Sequence, residues 1–326
     1  MNLQENPAGP VGSRRARPVG TRRGRIAVAV AVGAAAPAVL ASTPSAAAAA
    51  VGTPGYRVSA TIAVGSLPDG VAVDPTRHTA VVTDEADRLS LLSLTAAKVT
   101  GTVRLPAGAH PGAVAVDPTT HTAYIANPGN DTVSVLDETT RTVTATVRVG
   151  TVPAAVAVDP TSHTVYVANR TANTVSVIQE SIGKVTATVP VDTTPIALAV
   201  DPRTHTVYVT AYSSHFRGNE VVVIDGHTAT VTGRITVGRG PDGVAVDPAT
   251  DTVYIDDVAV DPGTGVVYAA NSGSNTVSVI NGRTRRVTAT LPVGQLPAAV
   301  AVDPTTHTAY VANLDDDTVT VISRTP

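Results

Sequence analysis

Short runs of apolar and β-branched residues alternate with polar turns along most of the chain. The stretch "AVAVDPTTHTAYIANPGNDTVSVLDETTRTVTATVRVG" (113–150) contains four such runs, at residues 114–116, 122–126, 132–136 and 143–147. Each run is bounded by Pro, Gly, Asn or Asp, and no stretch after residue 48 has the 3.6-residue period of a helix. This pattern predicts four short antiparallel strands in an all-β protein.

The four-strand unit is repeated. The Asp of an Asp-Pro pair occurs at 74, 117, 159, 201, 247, 261 and 303, at spacings of 43, 42, 42, 46, 14 and 42 residues. A repeat of about 42 residues with four strands is typical of one blade of a β-propeller.

The one short spacing marks a truncated unit. "VAVDPATDTVYIDD" (244–257) keeps the first two strands of a blade and lacks the last two. Because strand direction alternates, losing two strands preserves the direction of the chain. We therefore predict seven blade positions, six with four strands and one occupied by a two-stranded hairpin at 244–257. The alternative is a six-bladed ring with the hairpin extruded. Asp256 and Asp257 would discourage pairing at the exposed edge of this hairpin.

The two ends of the repeat region complement each other. The last unit stops at "TVTVISRTP", after its third strand, whereas "VSATIAVG" (58–65) resembles the fourth strand at 143–150. We predict that residues 58–64 supply the outer strand of the last blade and so close the ring.

The second strand of each unit carries a recognisable motif. It reads "YIAN" (124–127), "YVAN" (166–169), "YAAN" (268–271) and "YVAN" (310–313), with departures to "VVTD", "YVTA" and "YIDD" in other units. The chain resembles the YVTN-repeat, or YncE-like, β-propeller family over residues 57–326. That resemblance implies a secreted protein of the bacterial extracytoplasmic or surface-layer type, and it says little about activity.

The N-terminal segment differs from the repeats. A basic stretch is followed by an apolar run at 26–41 and by small residues, a pattern typical of a secretory signal peptide. We therefore divide the chain into a signal peptide (1–48), a linker (49–56) and a single propeller domain (57–326), and expect a secreted or cell-surface protein. An uncleaved membrane anchor is the alternative. The arginine pairs at 14–15 and 22–23 leave Sec and twin-arginine export both open.

The amino-acid composition limits the chemistry and the binding partners expected of the domain. The chain has no cysteine, which excludes disulfides and thiolate chemistry. Residues 1–48 hold six of the 23 basic and one of the 26 acidic residues, so the remainder carries 17 basic and 25 acidic groups, a net charge of −8. Such an acidic domain is a poor nucleic-acid binder, since phosphate binding depends on Lys and Arg. We expect a monomer without a membrane span.

One loop departs from the repeat pattern. The segment "AYSSHFRGNE" (211–220) replaces a short turn and contains Tyr212, His215, Phe216 and Arg217. Irregular loops on a regular scaffold often carry binding function, so these four residues are our candidate binding site. The alternative is a tolerated insertion that covers the truncated neighbour.

Other polar residues recur too regularly to define one site. Five histidines (His78, His121, His163, His205 and His307) lie four residues after the repeated Asp. We interpret them as turn residues, because equivalent positions on separate blades are expected to lie too far apart to share an ion. The strand-two tyrosines are interpreted as core between blades, and the asparagines that follow them as ties to turn backbone. Asp315, Asp316 and Asp317 are weak candidates for a cation, with a solvated turn the preferred interpretation.

No phosphate loop, nucleophile elbow or zinc-protease motif is present in the sequence. We favour a secreted, non-enzymatic scaffold that binds a protein or cell-envelope component and needs no cofactor. The alternatives are a propeller enzyme of the lactonase or quinoprotein type, with its site at the central channel, and a purely structural surface-layer module.

Overall fold

A computed structural model describes residues 55–212, 219–237, 241–250, 252–255, 258–284 and 286–325. The predicted signal peptide (1–48), most of the linker and the charged pair Asp256–Asp257 lie outside the described residues. The described part is built from β-strands, with one short 3-10 turn at Glu180–Ile182. Within it, no helix is long and apolar enough to cross a membrane.

Six antiparallel sheets of four strands each form the blades of a β-propeller, which confirms the predicted fold. The strands of blade 1 are β2 Pro68–Asp74, β3 Thr79–Asp84, β4 Arg88–Ser93 and β5 Lys98–Arg104. Blade 2 comprises β6 Val114–Asp117, β7 Thr122–Asn127, β8 Thr132–Asp137 and β9 Thr142–Arg148. Blade 3 comprises β10 Pro153–Asp159, β11 Thr164–Asn169, β12 Thr174–Gln179 and β13 Lys184–Pro190.

The second half of the ring contains three more blades. Blade 4 comprises β14 Thr194–Asp201, β15 Thr206–Tyr212, β16 Asn219–Asp225 and β17 Thr230–Val237. Blade 5 comprises β20 Val258–Asp261, β21 Val266–Asn271, β22 Thr276–Asn281 and β23 Arg286–Pro292. Blade 6 comprises β24 Pro297–Asp303, β25 Thr308–Asn313, β26 Thr318–Arg324 and, from the other end of the domain, β1 Tyr56–Ala63.

The chain ends meet in blade 6, as predicted. Strand β1 pairs antiparallel with β26, so that Ile62 lies opposite Val319 and Thr61 opposite Thr320. The strand covers residues 56–63, two residues earlier than the predicted start at 58. Because one sheet contains both termini of the domain, its hydrogen bonds hold the ring closed.

The truncated unit forms a separate two-stranded sheet, β18 Val244–Asp247 with β19 Thr252–Ile255. Its inner strand β18 contacts β14 of blade 4 on one side and β20 of blade 5 on the other. Six four-stranded blades are therefore present, and counting this hairpin as a seventh blade position remains our interpretation.

The core lies around the inner strands. Their Val-Ala-Val segments are buried on both faces. The fourth strands alternate between exposed and buried positions, because they form the outer edge of the ring. Small Val and Ala side chains fill most of the inner layer, and most of the larger buried groups lie on the second and third strands, with Ile196 and Leu198 of β14 as exceptions. Because strand direction alternates within each blade, the turns between strands 1 and 2 and between strands 3 and 4 lie on one face, which we call the turn face. The links from strand 2 to 3 and from strand 4 to the next blade lie on the opposite face, the link face.

Candidate functional site

On the turn face, the repeated Asp organises a tight turn. Asp117 ends β6, is fully buried, and accepts hydrogen bonds at Oδ1 from the backbone N–H and the hydroxyl of Thr119, at 2.7 and 2.6 Å. His121 closes the same turn with a φ of 56°, a left-handed conformation that His tolerates better than most side chains. The Asp side chain therefore holds the turn backbone in place.

The histidines do more than close turns. In each of five positions, Nδ1 of the His donates to Oδ2 of the repeated Asp on the preceding blade. The pairs are His78–Asp303 at 3.4 Å, His121–Asp74 at 2.7 Å, His163–Asp117 at 3.1 Å, His205–Asp159 at 2.5 Å and His307–Asp261 at 2.9 Å. Each bridge joins two different repeat positions, so it does not test the expectation that equivalent histidines on separate blades lie too far apart to share an ion. Sheet spacing governs the strands, whereas a turn at the edge of one blade reaches the neighbouring blade with its side chain.

The series of bridges is interrupted at the hairpin. The position four residues after Asp261 is Gly265, whose Cα hydrogen faces Asp247: a Cβ there would lie 3.9 Å from Oδ2 of Asp247. The corresponding residue of the hairpin, Asp251, lies outside the described residues. Asp201 and Asp247 instead accept at Oδ2 from the hydroxyls of Thr204 and Thr250, both at 2.8 Å. At these two positions a local hydroxyl satisfies the oxygen that the histidine binds elsewhere.

Two glutamates lie beside this ring of bridges, and sequence reasoning missed both. Glu138 and Glu180 directly follow the third strands of blades 2 and 3, at "VSVLDE" and "VSVIQE", where blades 4 and 5 have Gly226 and Gly282. Those glycines leave room for a tyrosine of the preceding blade, since a Cβ at Gly226 would lie 2.3 Å from the hydroxyl oxygen of Tyr166. A carboxylate at a position that favours glycine was the available signal.

Burial raises the pKa of Glu138 to about 7, with the Asp74 charge adding to the effect and the Thr79 hydroxyl, Arg77 and His121 opposing it. The Thr79 hydroxyl donates to Oε2 of Glu138 at 2.8 Å. The other oxygen, Oε1, is buried without a hydrogen-bond partner among the described residues.

Burial likewise raises the pKa of Glu180 to about 7; the nearby Asp117 carboxylate adds to this rise, whereas the Tyr124 hydroxyl and His163 oppose it. Oε2 of Glu180 lies 3.7 Å from Nδ1 of His163. Oε1 of Glu180 is also buried and without a partner in the described part of the chain. Asp117, His163 and Glu180 each offer one ligand atom, and these three atoms lie within 4.8 Å of one another.

The strand-two tyrosines pack between blades, as predicted. Tyr124, Tyr166, Tyr268 and Tyr310 are buried, and Tyr166 donates to the carbonyl of Gly226 in the next blade at 3.4 Å. Tyr208 and Tyr254 are half-buried. The interpretation as core residues therefore holds for the four tyrosines that lie on strands ending in Asn.

The asparagines do not tie turn backbone, contrary to expectation. Nδ2 of Asn127 donates to the hydroxyls of Thr132 and Ser134 on the adjacent third strand, at 3.0 and 2.9 Å. The same two bonds recur at Asn169, Asn271 and Asn313. The side chains therefore join strands 2 and 3 within a blade, because the antiparallel register places two hydroxyls opposite each amide.

On the link face, the candidate loop begins at the end of β15. Of its four predicted binding residues, only Tyr212 is described, and its hydroxyl donates to Oδ1 of Asp242 in the link before β18. His215, Phe216 and Arg217 lie outside the described residues. On β17, Arg234 donates to Glu220 at 2.5 Å and to the carbonyl of Val191 at 2.9 Å.

The three consecutive aspartates also lie on the link face, and all three are exposed. Oδ2 of Asp316 accepts from the backbone N–H of Gln295 at 2.7 Å, and Oδ1 of Asp317 accepts from that of Leu67 at 2.8 Å. Two of the three carboxylates thus hold the links that precede β24 and β2. Asp317 adds a further connection between the two ends of the domain.

Comparisons with known proteins agree with the fold. The family model described as YNCE-like beta-propeller matches residues 102–261, which confirms the resemblance inferred from the repeat motif. Among solved structures, a chain of Kuenenia stuttgartiensis hydrazine synthase is similar, with a TM-score of 0.68 and 19% identity over 78% of this chain and 95% of that chain. At this identity the likeness concerns the fold alone. No curated protein sequence matches this chain.

Proposed function

We propose that this YncE-like β-propeller is an exported, non-enzymatic protein that binds a protein or cell-envelope component through its link face. The main support for a non-enzymatic role is that the repeated polar side chains bind other parts of the fold. The histidines bridge blades, the asparagines join strands, and Asp316 and Asp317 hold backbone links.

The link between β15 and β16 supports this face as the binding surface. Most other blades join strands 2 and 3 through a regular four-residue turn, as between Asn169 and Thr174 or Asn313 and Thr318. Blade 4 replaces it with residues 213–218, flanked by the Tyr212–Asp242 bond. This link contains Phe216 and Arg217, and aromatic residues and Arg are enriched in protein interfaces.

The test is co-sedimentation of the purified chain, lacking residues 1–48, with a purified cell-envelope fraction at several salt concentrations. Phe216→Ala combined with Arg217→Ala should reduce the bound fraction at least tenfold. Arg170→Ala, in the four-residue turn of blade 3 on the same face, is the matched control and should bind as the parent does. Equal binding by the loop variant would refute the assignment of this loop.

Export is part of the same proposal. The basic, apolar and small-residue order of residues 1–48 predicts cleavage near residue 48. Mass spectrometry of the protein recovered outside the cytoplasm should give a mature N-terminus near residue 49. Recovery of the intact N-terminus in the membrane fraction would instead support the anchor alternative.

A further inference from the structure

We propose that Asp117, His163 and Glu180 form a binding site for one divalent transition-metal cation, with Zn²⁺ as the best-fitting ion, at the boundary between blades 2 and 3. The three ligand atoms lie within 4.8 Å of one another. Nδ1 of His163 is 3.1 Å from Oδ2 of Asp117 and 3.7 Å from Oε2 of Glu180. Two ligands bound to zinc at 2.0–2.1 Å in a tetrahedron lie about 3.3 Å apart, so small side-chain shifts suffice to close around an ion.

A second observation points to a missing ligand. The side chain of Glu180 is only 9% exposed, and its carboxylate faces the His163 ring. Yet Oε1 has no hydrogen-bond partner among the described residues. A buried carboxylate oxygen without a partner is costly, and a cation held by this carboxylate would remove that cost.

The fold fixes the three ligands through other bonds. Oδ1 of Asp117 is occupied by the N–H and hydroxyl of Thr119, which leaves Oδ2 to face the site. The backbone N–H of Glu180 donates to the carbonyl of His163 at 3.1 Å, so the two ligands of blade 3 are held side by side. Such supporting bonds orient ligands in metal sites.

The ligand set selects the type of ion. One imidazole nitrogen and two carboxylate oxygens suit zinc and its first-row neighbours, whereas Ca²⁺ and Mg²⁺ prefer all-oxygen ligands in larger number. Three protein ligands leave a fourth position for water. The net charge of an ionised Asp and Glu with a neutral His is −2, which a divalent cation neutralises.

The other blades provide internal controls. Of the four remaining His–Asp bridges, three have no glutamate directly after the third strand of the histidine's blade, and the fourth has Glu138. Glu138 stands at the equivalent position in blade 2, but the Thr79 hydroxyl already binds its Oε2. For Glu180, the residue that corresponds to Thr79 is Thr122, and its hydroxyl donates to the carbonyl of Thr120 instead. Glu138, Asp74 and His121 are not among the groups with metal-ligand spacing in the described part of the chain.

The experiment is isothermal titration of Zn²⁺ into the untagged, chelator-treated chain, with Co²⁺ absorption as a second readout. We expect one equivalent to bind in the parent and Glu180→Gln to weaken binding at least thirtyfold. Glu138→Gln, the matched control, should bind as the parent does. Co²⁺ should give the visible bands of a four-coordinate site in the parent and lose them in Glu180→Gln.

Folding is checked on the same samples, because circular dichroism of the metal-free variants should match that of the parent. The absence of saturable Zn²⁺ binding by the parent would overturn the proposal. So would equal affinity in Glu180→Gln, which would place the bound ion elsewhere, or tighter binding of Ca²⁺ than of Zn²⁺. Envelope binding by the Phe216 and Arg217 variant is independent of all these outcomes, because neither residue is one of the three proposed metal ligands.

Discussion

Nδ1 of His121 donates to Oδ2 of Asp74 at 2.7 Å, across the boundary between blades 2 and 1 and over a separation of 47 residues. The Asp74 carboxylate is fully buried, whereas a third of the histidine side chain is exposed. Among the described residues, no other donor to this oxygen is found, since Thr76 and Arg77 bind Oδ1. The bond therefore both satisfies a buried acceptor and joins two blades.

Replacing this histidine should cost more than replacing its counterpart at another blade. Asp261 receives the Thr264 hydroxyl at Oδ2 in addition to His307, so His307→Ala leaves that oxygen satisfied. We expect His121→Ala to lower the free energy of unfolding by about 2 kcal/mol and His307→Ala by about 1 kcal/mol. Urea unfolding at pH 7 measures both. Equal losses would contradict the role assigned to the local hydroxyl.

The strands and their closure could be predicted because they depend on short-range patterns. The alternation of Val and Thr sets which residues face the core, and the Asp-Pro turns mark where strands end. The match between residues 58–65 and 143–150 predicted that β1 is the outer strand of the last blade. These signals are local in the sequence, or repeat at a fixed period.

The bridges between blades could not be predicted in the same way. The regular recurrence of His121 and its equivalents favoured a turn role, because the sequence does not show that a side chain on the rim of one blade reaches the Asp of the preceding blade. Glu180 was missed for the same reason: its neighbours Asp117 and Tyr124 belong to another blade. The structure was needed to bring these side chains together.

Glu138 should make the stability of the domain depend on pH. Its pKa rises from 4.5 to about 7 on folding because it is buried. The folded state therefore holds the proton more tightly, so this contribution is fully present below pH 4.5 and is lost as the pH rises through 7. The loss amounts to about 3 kcal/mol at 1.36 kcal/mol per pKa unit.

Glu138→Gln should accordingly raise the melting temperature at pH 8 and reduce the difference in stability between pH 5 and pH 8. The preceding residue gives a control of opposite sign, because the N–H of Thr140 holds the pKa of Asp137 below its ordinary value. Asp137→Asn should therefore lower stability at pH 8. Thermal melts across this range test both, and an unchanged pH profile in Glu138→Gln would contradict the assignment.

Strand β1 should contribute strongly to the stability of the domain through Ile62. This side chain is 4% exposed and packs in one cluster with Val319 and Val321 of β26. Ile62→Ala should cost about 3 kcal/mol, whereas Val58→Ala on the same strand, at a position 38% exposed, should cost less than about 1 kcal/mol. Removing residues 49–66 as well should abolish the cooperative melt that we expect of the chain lacking residues 1–48. An unchanged melting temperature would mean that β1 does not close the ring.

The hairpin β18–β19 offers the sharpest test of how many positions the ring contains. Ala245 is 1% exposed and belongs to one apolar cluster with Val258, Val260 and Val267 of blade 5. On the other side, Val244 and Val246 belong to the cluster that includes blade 4. If the hairpin occupies a ring position, a charge at 245 is buried between two sheets.

Ala245→Asp should then cost about 3 kcal/mol or more, because no partner compensates the buried carboxylate. Ala249→Asp, an exposed position in the turn of the same hairpin, adds the same charge and should change stability by less than about 0.5 kcal/mol. Denaturant unfolding compares the two. An extruded hairpin would tolerate both substitutions equally, and that result would favour a six-bladed ring. A selective loss in Ala245→Asp would favour seven positions, because only a packed inner strand makes residue 245 more sensitive than residue 249.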